Sequence, residues 1–154
     1  MGIKLDDKLI DIINKKTTIN ALATVDKDGV PHVTYKGSFH IRDNGLLEFY
    51  EIIETSVTNK NLTASIWFDK VVAVNFLSED KESFQVKAKV RKAIISGQEF
   101  RKVYETLRER FGDVDVSTVW LLEPIEVREE TFSKRRVLEE QAHPLLRHLD
   151  RLTV

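Results

Sequence analysis

The chain has 154 residues, 42% of them hydrophobic and 32% charged. That is one domain of ordinary size, too apolar to stay disordered and long enough to bury roughly two-thirds of its unfolded surface. Lys and Arg number 24 against 25 Asp and Glu, a net charge of -1, so the concentrated positive charge that nucleic acid demands is missing.

The chain has no cysteine, which excludes disulfides, zinc-thiolate sites and a thiol nucleophile and suits a reducing compartment. No unbroken apolar run exceeds that of Val71–Val74 in length, whereas a membrane-spanning helix needs roughly 20 residues. Met1 to Asp7 has no apolar signal core. The expectation is a cytoplasmic protein with no membrane segment.

Leu5, Leu9, Ile12 and Ile13 form one stripe of an amphipathic helix that Asp6 can cap. The period then drops to two. Ile19 to Val25 alternates as a half-buried strand, and Asp26-Lys27-Asp28-Gly29 turns the chain into a second strand over about Val30 to Phe39. That strand carries Val33, Tyr35, Gly37 and Phe39 on one side and His32, Thr34, Lys36 and Ser38 on the other. Asp43-Asn44-Gly45 leads to a third strand, Leu46 to Glu51, and Thr55 or Ser56 caps a short helix through Ala64.

Val71 to Leu77 is apolar on both faces, as a central strand buried on both sides would be. Ser83 to Ser96 is a long strand with Val86, Ala88 and Val90 opposite Lys87, Lys89 and Arg91. Phe100, Val103, Leu107 and Phe111 mark a helix stopped by Gly112. Thr118–Leu122 and Ile125–Thr131 form the last strand region, interrupted at Pro124, and Trp120 is expected in the core. After a joint near Phe132, Ser133 caps a helix to about Ala142. Pro144 starts a further turn with Leu145, Leu146 and Leu149.

Short links between strands imply antiparallel pairing. The fold class is therefore mainly β with flanking helices (α+β), a partly closed antiparallel barrel of six strands. It forms a single domain over 1–154 with a helical extension over about 133–152.

Three features converge on an anion. They are the polar face of His32, Thr34, Lys36 and Ser38, the hydroxyl-rich helix start at Thr55, Ser56 and Thr58, and the cationic face of Lys87, Lys89 and Arg91. Free N–H groups and the positive dipole end at a helix start suit a phosphate, and strand lysines add charge. The spacings of His32 with His40 and of His143 with His148 do not match a helical metal site. No nucleophile elbow is present, and no metal is expected.

The order Ala21-Leu22-Ala23-Thr24-Val25, Asp28-Gly29-Val30-Pro31-His32-Val33, Leu46 to Tyr50, Ser56-Val57-Thr58-Asn59-Lys60-Asn61-Leu62 and Phe84-Gln85-Val86-Lys87 resembles the FMN-binding split-barrel superfamily. These are the pyridoxamine 5'-phosphate oxidase-like flavoproteins, and the resemblance runs from about Ile19 to Phe132. It implies a split β-barrel homodimer with FMN in the cleft between subunits and a small-molecule redox partner. By position, Lys36 matches a lysine at the phosphate end, Thr34 and Tyr35 border the ring, and Ser56, Thr58 and Asn61 fall near the phosphate. Gln85 matches a glutamine that hydrogen-bonds the cofactor.

The chain departs from that pattern in having Val57-Thr58 where the family has a basic residue and Phe84 where the oxidases have Arg. It also lacks their C-terminal Arg and His motif, which argues against pyridoxamine phosphate as substrate. The resemblance thus implies an FMN-dependent oxidoreductase acting on another small molecule. The alternative is a non-catalytic flavin, haem or deazaflavin binding protein on the same barrel.

Overall fold

In the computed structural model, which describes residues 2–144 and 148–153, the elements follow the periodicities of the chain. Helix α1 (Asp7–Asn14) is capped by Asp6, whose carboxylate accepts from Leu9 N at 2.8 Å, and it buries Leu9, Ile12 and Ile13. Strands β1 (Ile19–Val25) and β2 (Pro31–Lys36) form a hairpin whose turn uses Gly29 at φ +83°, a conformation that a Cβ would strain. A two-residue β3 (His40–Ile41) and β4 (Leu47–Glu51) form the next hairpin. Then come α2 (Val57–Trp67), β5 (Val71–Leu77), β6 (Ser83–Ile94), α3 (Gly97–Phe111), β7 (Thr118–Glu129), α4 (Phe132–Ala142) and a 3-10 turn, His148–Leu152. Leu149 lies in that turn. Leu145 and Leu146, expected beside it, lie outside the described residues.

The strands form one antiparallel sheet in the order β2-β1-β5-β6-β7-β4-β3. There are seven strands, not six. The single strand expected over Val30–Phe39 breaks at Gly37-Ser38-Phe39 and resumes as β3 on the opposite edge of the sheet. Laid flat, seven strands would hold those edges about 29 Å apart. Yet the backbone from Lys36 to His40 can span only about 14 Å. The sheet therefore curls into a half-barrel whose edges, β2 and β3–β4, face each other across a seam.

The concave side holds the core, with Leu22, Phe49, Val72, Val74, Phe76, Val86, Trp120 and Leu122 buried. Helix α1 seals it beside β3, and α2 lies against β1, β2 and β6. Trp120 joins the sheet to α2 through an indole N–H that donates to Asn59 Oδ1 at 2.9 Å. Helix α3 packs outside the curl, where Phe100 and Val103 meet Ile94, Val119 and Leu121.

Three local expectations change. The last strand is continuous through Pro124, because Pro124 opposes Ala88 where the β6–β7 register shifts and no regular ladder bond is lost. The final long helix begins two residues earlier than expected, with Thr131 rather than Ser133 in the cap position; the Thr131 hydroxyl accepts from Ser83 N instead of capping. β5 is central, but only Val72, Val74 and Phe76 are buried. Its outward residues, Val71, Ala73, Asn75 and Leu77, remain partly open.

Candidate functional site

Leu47, Phe49 and Glu51 share the inward face of β4, since alternate residues of a strand point the same way. The last of them brings a carboxylate into an apolar row. Glu51 is 3% exposed and meets Lys36 from across the seam, with Nζ to Oε2 at 2.8 Å. The same Oε2 accepts from Ser56 Oγ at 3.0 Å, and Oε1 accepts from Ile52 N and Ile53 N at 3.1 Å each. Ser56 caps α2, its Oγ accepting from Asn59 N.

Lys36 and the α2 start are thus brought together around an anion. That anion is the chain's own Glu51 carboxylate. The sequence carried a signal for it, because Glu51 continues the apolar alternation of Leu47 and Phe49, but an acid ending a strand reads equally well as a surface residue.

Beside this cluster lies a cavity of about 450 Å³ along the seam. Tyr35, Ile52, Ile53, Leu107 and Phe111 supply its apolar walls, and Lys36, Ser38, Tyr50 and Glu51 supply polar atoms. Ser38 Oγ accepts from Tyr50 N at 3.0 Å, which ties the link between β2 and β3 to β4 beside the cavity. The apolar stripe of α3 therefore divides its work. Phe100 and Val103 anchor the helix, while Leu107 and Phe111 overhang the cavity.

The remaining candidates disperse. Tyr35 faces outward, 76% exposed, at the cavity edge. Thr34 is half-buried on the same face of β2 as Lys36. Thr58 and Asn61 are buried, and Asn61 Nδ2 donates to Thr24 Oγ1 at 3.0 Å, so both lie between α2 and the sheet. Gln85 shares with Tyr35 the cross-strand row Tyr35–Ala21–Asn75–Gln85 on the outer face. Three strand spacings, about 14 Å, separate them. The cationic face of β6 is matched by acids, with Lys87 paired to Glu126, Lys89 to Asp69 and Arg91 to Glu123.

A second polar cluster lies on the outer side of β4. Glu48 accepts from His40 Nε2 at 2.8 Å and from Tyr50 Oη at 3.1 Å, and Arg42 Nε lies 2.7 Å from its other oxygen. The hydrogen bond to Glu48 raises the His40 imidazole above its ordinary value despite partial burial. Burial pushes the Glu48 carboxyl up, but the His40 hydrogen bond and the charges of His40 and Arg42 outweigh it and hold it low. Burial and the Glu48 charge push Tyr50 up to about 12.

No protein-family model and no curated protein matches the chain. Solved structures do. HupZ of Group A Streptococcus superposes with a TM-score of 0.67 at 16% identity, over 83% of this chain and 95% of that one. An FMN-binding protein of Syntrophomonas wolfei gives 0.63 at 12% identity, over 82% and 89%. A putative pyridoxamine 5'-phosphate oxidase of Lactobacillus delbrueckii gives 0.60 at 23% identity, over 81% and 93%. Also similar are the haem storage protein HutZ of Vibrio cholerae and an F420 reductase, at 17% and 19% identity. The chain has the fold of the FMN-binding split-barrel, pyridoxamine 5'-phosphate oxidase-like superfamily. Among the described residues, no helix is long and apolar enough to cross a membrane.

Proposed function

We propose that this protein binds a flavin, with the tricyclic ring in the seam cavity, and that it works as a homodimer whose second copy covers the open side of that cavity. The cavity itself carries the reading. Its volume of about 450 Å³ lies within the range of small-ligand sites, and apolar walls with a few fixed polar groups suit a flat ring with a polar edge. The fold supports the same class of ligand, since one similar structure is an FMN-binding protein.

The dimer is supported by the outer face of the sheet. Ile19, Val33, Tyr35 and Val71 leave apolar surface open to water there, as protein interfaces do before they are covered. Tyr35 belongs to both that face and the cavity edge, so a covering subunit would close the cavity as it buries the patch.

In this arrangement Tyr35 and Phe111 flank the ring and exclude water, while Lys36 and Ser38 offer donors to its polar edge. Thr34 backs Lys36, and Thr58 and Asn61 hold α2 in place. Gln85 stands on the outer face for contact with ligand or partner. A bound flavin supplies hydride and electron transfer, which makes oxidoreduction of a small molecule the assigned activity.

The fit is to the ring and not to the phosphate of FMN, because Lys36 and Ser56 already bond Glu51. Haem is the weaker reading, as no histidine is among the residues lining this cavity and imidazole is a common axial ligand.

The test is an absorption spectrum of the purified full-length chain, before and after incubation with riboflavin, FMN, a deazaflavin or haem and removal of unbound ligand. Flavin bands that travel with a dimer-sized species are expected. A protein that retains none of the flavins, or retains haem alone, would refute the reading.

A further inference from the structure

Building on the flavin reading above, we propose that Glu51 acts as a built-in anion that makes the seam cavity select the phosphate-free form of its ligand, riboflavin over FMN.

The positions of Lys36, Ser56 and the α2 start are those of an anion site: one ammonium, one hydroxyl and the positive end of an 11-residue helix. A side-chain carboxylate already fills it. Glu51 accepts from Lys36 Nζ, Ser56 Oγ, Ile52 N and Ile53 N, so each of its oxygens has two donors. That uses essentially the whole acceptor capacity of a carboxylate. Only 3% of the side chain is exposed, so little water is at hand to replace a donor that leaves.

A ligand phosphate entering this end of the cavity would have to draw Lys36 and Ser56 away from Glu51. It would then sit beside a carboxylate stripped of half its donors. Two anions sharing one site is a strongly unfavourable arrangement, and desolvating one without its partners adds to the cost. A neutral hydroxylated chain meets no such penalty. Lys36 has three ammonium protons and gives one to Glu51, which leaves donors for a ribityl hydroxyl while the ion pair stays intact.

The chain's composition near the helix start agrees with this. Val57 and Thr58 follow the cap, and the Thr58 side chain is buried at 1% exposure. Neither residue carries a charge to outvote Glu51, and the nearest cation of the helix, Lys60, is exposed one turn beyond the cap. The β6 cations are engaged with Glu126, Asp69 and Glu123.

The experiment measures dissociation constants of riboflavin and FMN for the full chain by quenching of flavin fluorescence, at low and at moderate salt. Riboflavin should bind about tenfold tighter or more, and the preference should persist at moderate salt, because a buried charge is screened far less than an exposed one. In Glu51→Gln the preference should reverse by about tenfold toward FMN. The unmodified chain decides the selectivity by itself should Glu51→Gln not fold. FMN binding as tightly as riboflavin would overturn this inference and leave the flavin reading standing. An unchanged ratio in folded Glu51→Gln would remove Glu51 as its cause. Failure of both flavins to bind would refute the flavin reading and this inference with it.

Discussion

Replacing Lys36 with Met tests whether the seam is held by charge. Lys36 is 15% exposed and Glu51 3%, so the substitution leaves a buried carboxylate without its counter-ion. Removing one partner of a buried pair costs about 3–5 kcal/mol when nothing else compensates. Here Ser56 Oγ, Ile52 N and Ile53 N remain on Glu51, and three donors to a charged acceptor hold the loss to about 2–3 kcal/mol. Glu51→Gln should cost less, about 1–2 kcal/mol, because the ammonium can turn toward the open cavity and be hydrated. The double variant should be more stable than the sum of the two losses by about 1 kcal/mol or more, the coupling expected of touching charges. Urea unfolding followed by far-UV circular dichroism measures all four proteins, provided the m-value stays constant. A Lys36→Met loss below about 0.5 kcal/mol, or strict additivity in the double variant, would show that the pair does not hold the seam.

Asn61→Ala should destabilise by about 1–3 kcal/mol, because Asn61 is buried and bonded to Thr24. Its flavin affinity, measured on the folded protein, should not change, and a selective loss of affinity would return Asn61 to the binding site. Trp120→Phe removes the donor to Asn59 at a cost of about 1–2 kcal/mol, and the emission that remains should be that of exposed Trp67; blue-shifted emission in the variant would contradict the exposure assigned to Trp67. Tyr35→Asp puts charge on the open apolar face and should yield monomers in sedimentation velocity with unaltered circular dichroism, whereas an intact dimer would place the interface elsewhere. For His40 the folded imidazole titrates above its ordinary 6.5, so its pairing with Glu48 contributes fully below that value and fades as pH rises through the raised one. The stability gap between the natural chain and His40→Asn should therefore be larger near about pH 6 than near about pH 8.5, by up to about 1 kcal/mol, since the imidazole is 34% exposed. A gap independent of pH would refute the charged pairing.

Local chemistry decides what the sequence can show by itself. The Asp6 cap, the Gly29 turn, the Gly112 stop and the change of period from α1 to β1 depend on neighbours within a few residues, and each occurs where the sequence places it; of the two candidates for the α2 cap, Thr55 and Ser56, Ser56 is the one used. Alternation also makes two faces on each strand, but it does not say which face turns inward. In β1 the less apolar set, Asn20, Leu22 and Thr24, is buried, and Ile19, Ala21 and Ala23 face out. An outward strand face that leaves apolar residues open to water carries the same residue types as a core.

The site rests on contacts between segments far apart in the chain. Gly37, Ser38 and Phe39 read as strand because nothing in their own residues says that the sheet will curl and set its two edges side by side. Only that closure brings Lys36 to Glu51 and Ser56. The sequence showed a lysine and a helix start that suit a phosphate. The tertiary structure brought a buried carboxylate between them, because the pairing of β4 with β7 and the curl of the sheet aim Glu51 inward, and a charge buried there takes the donors nearest to it.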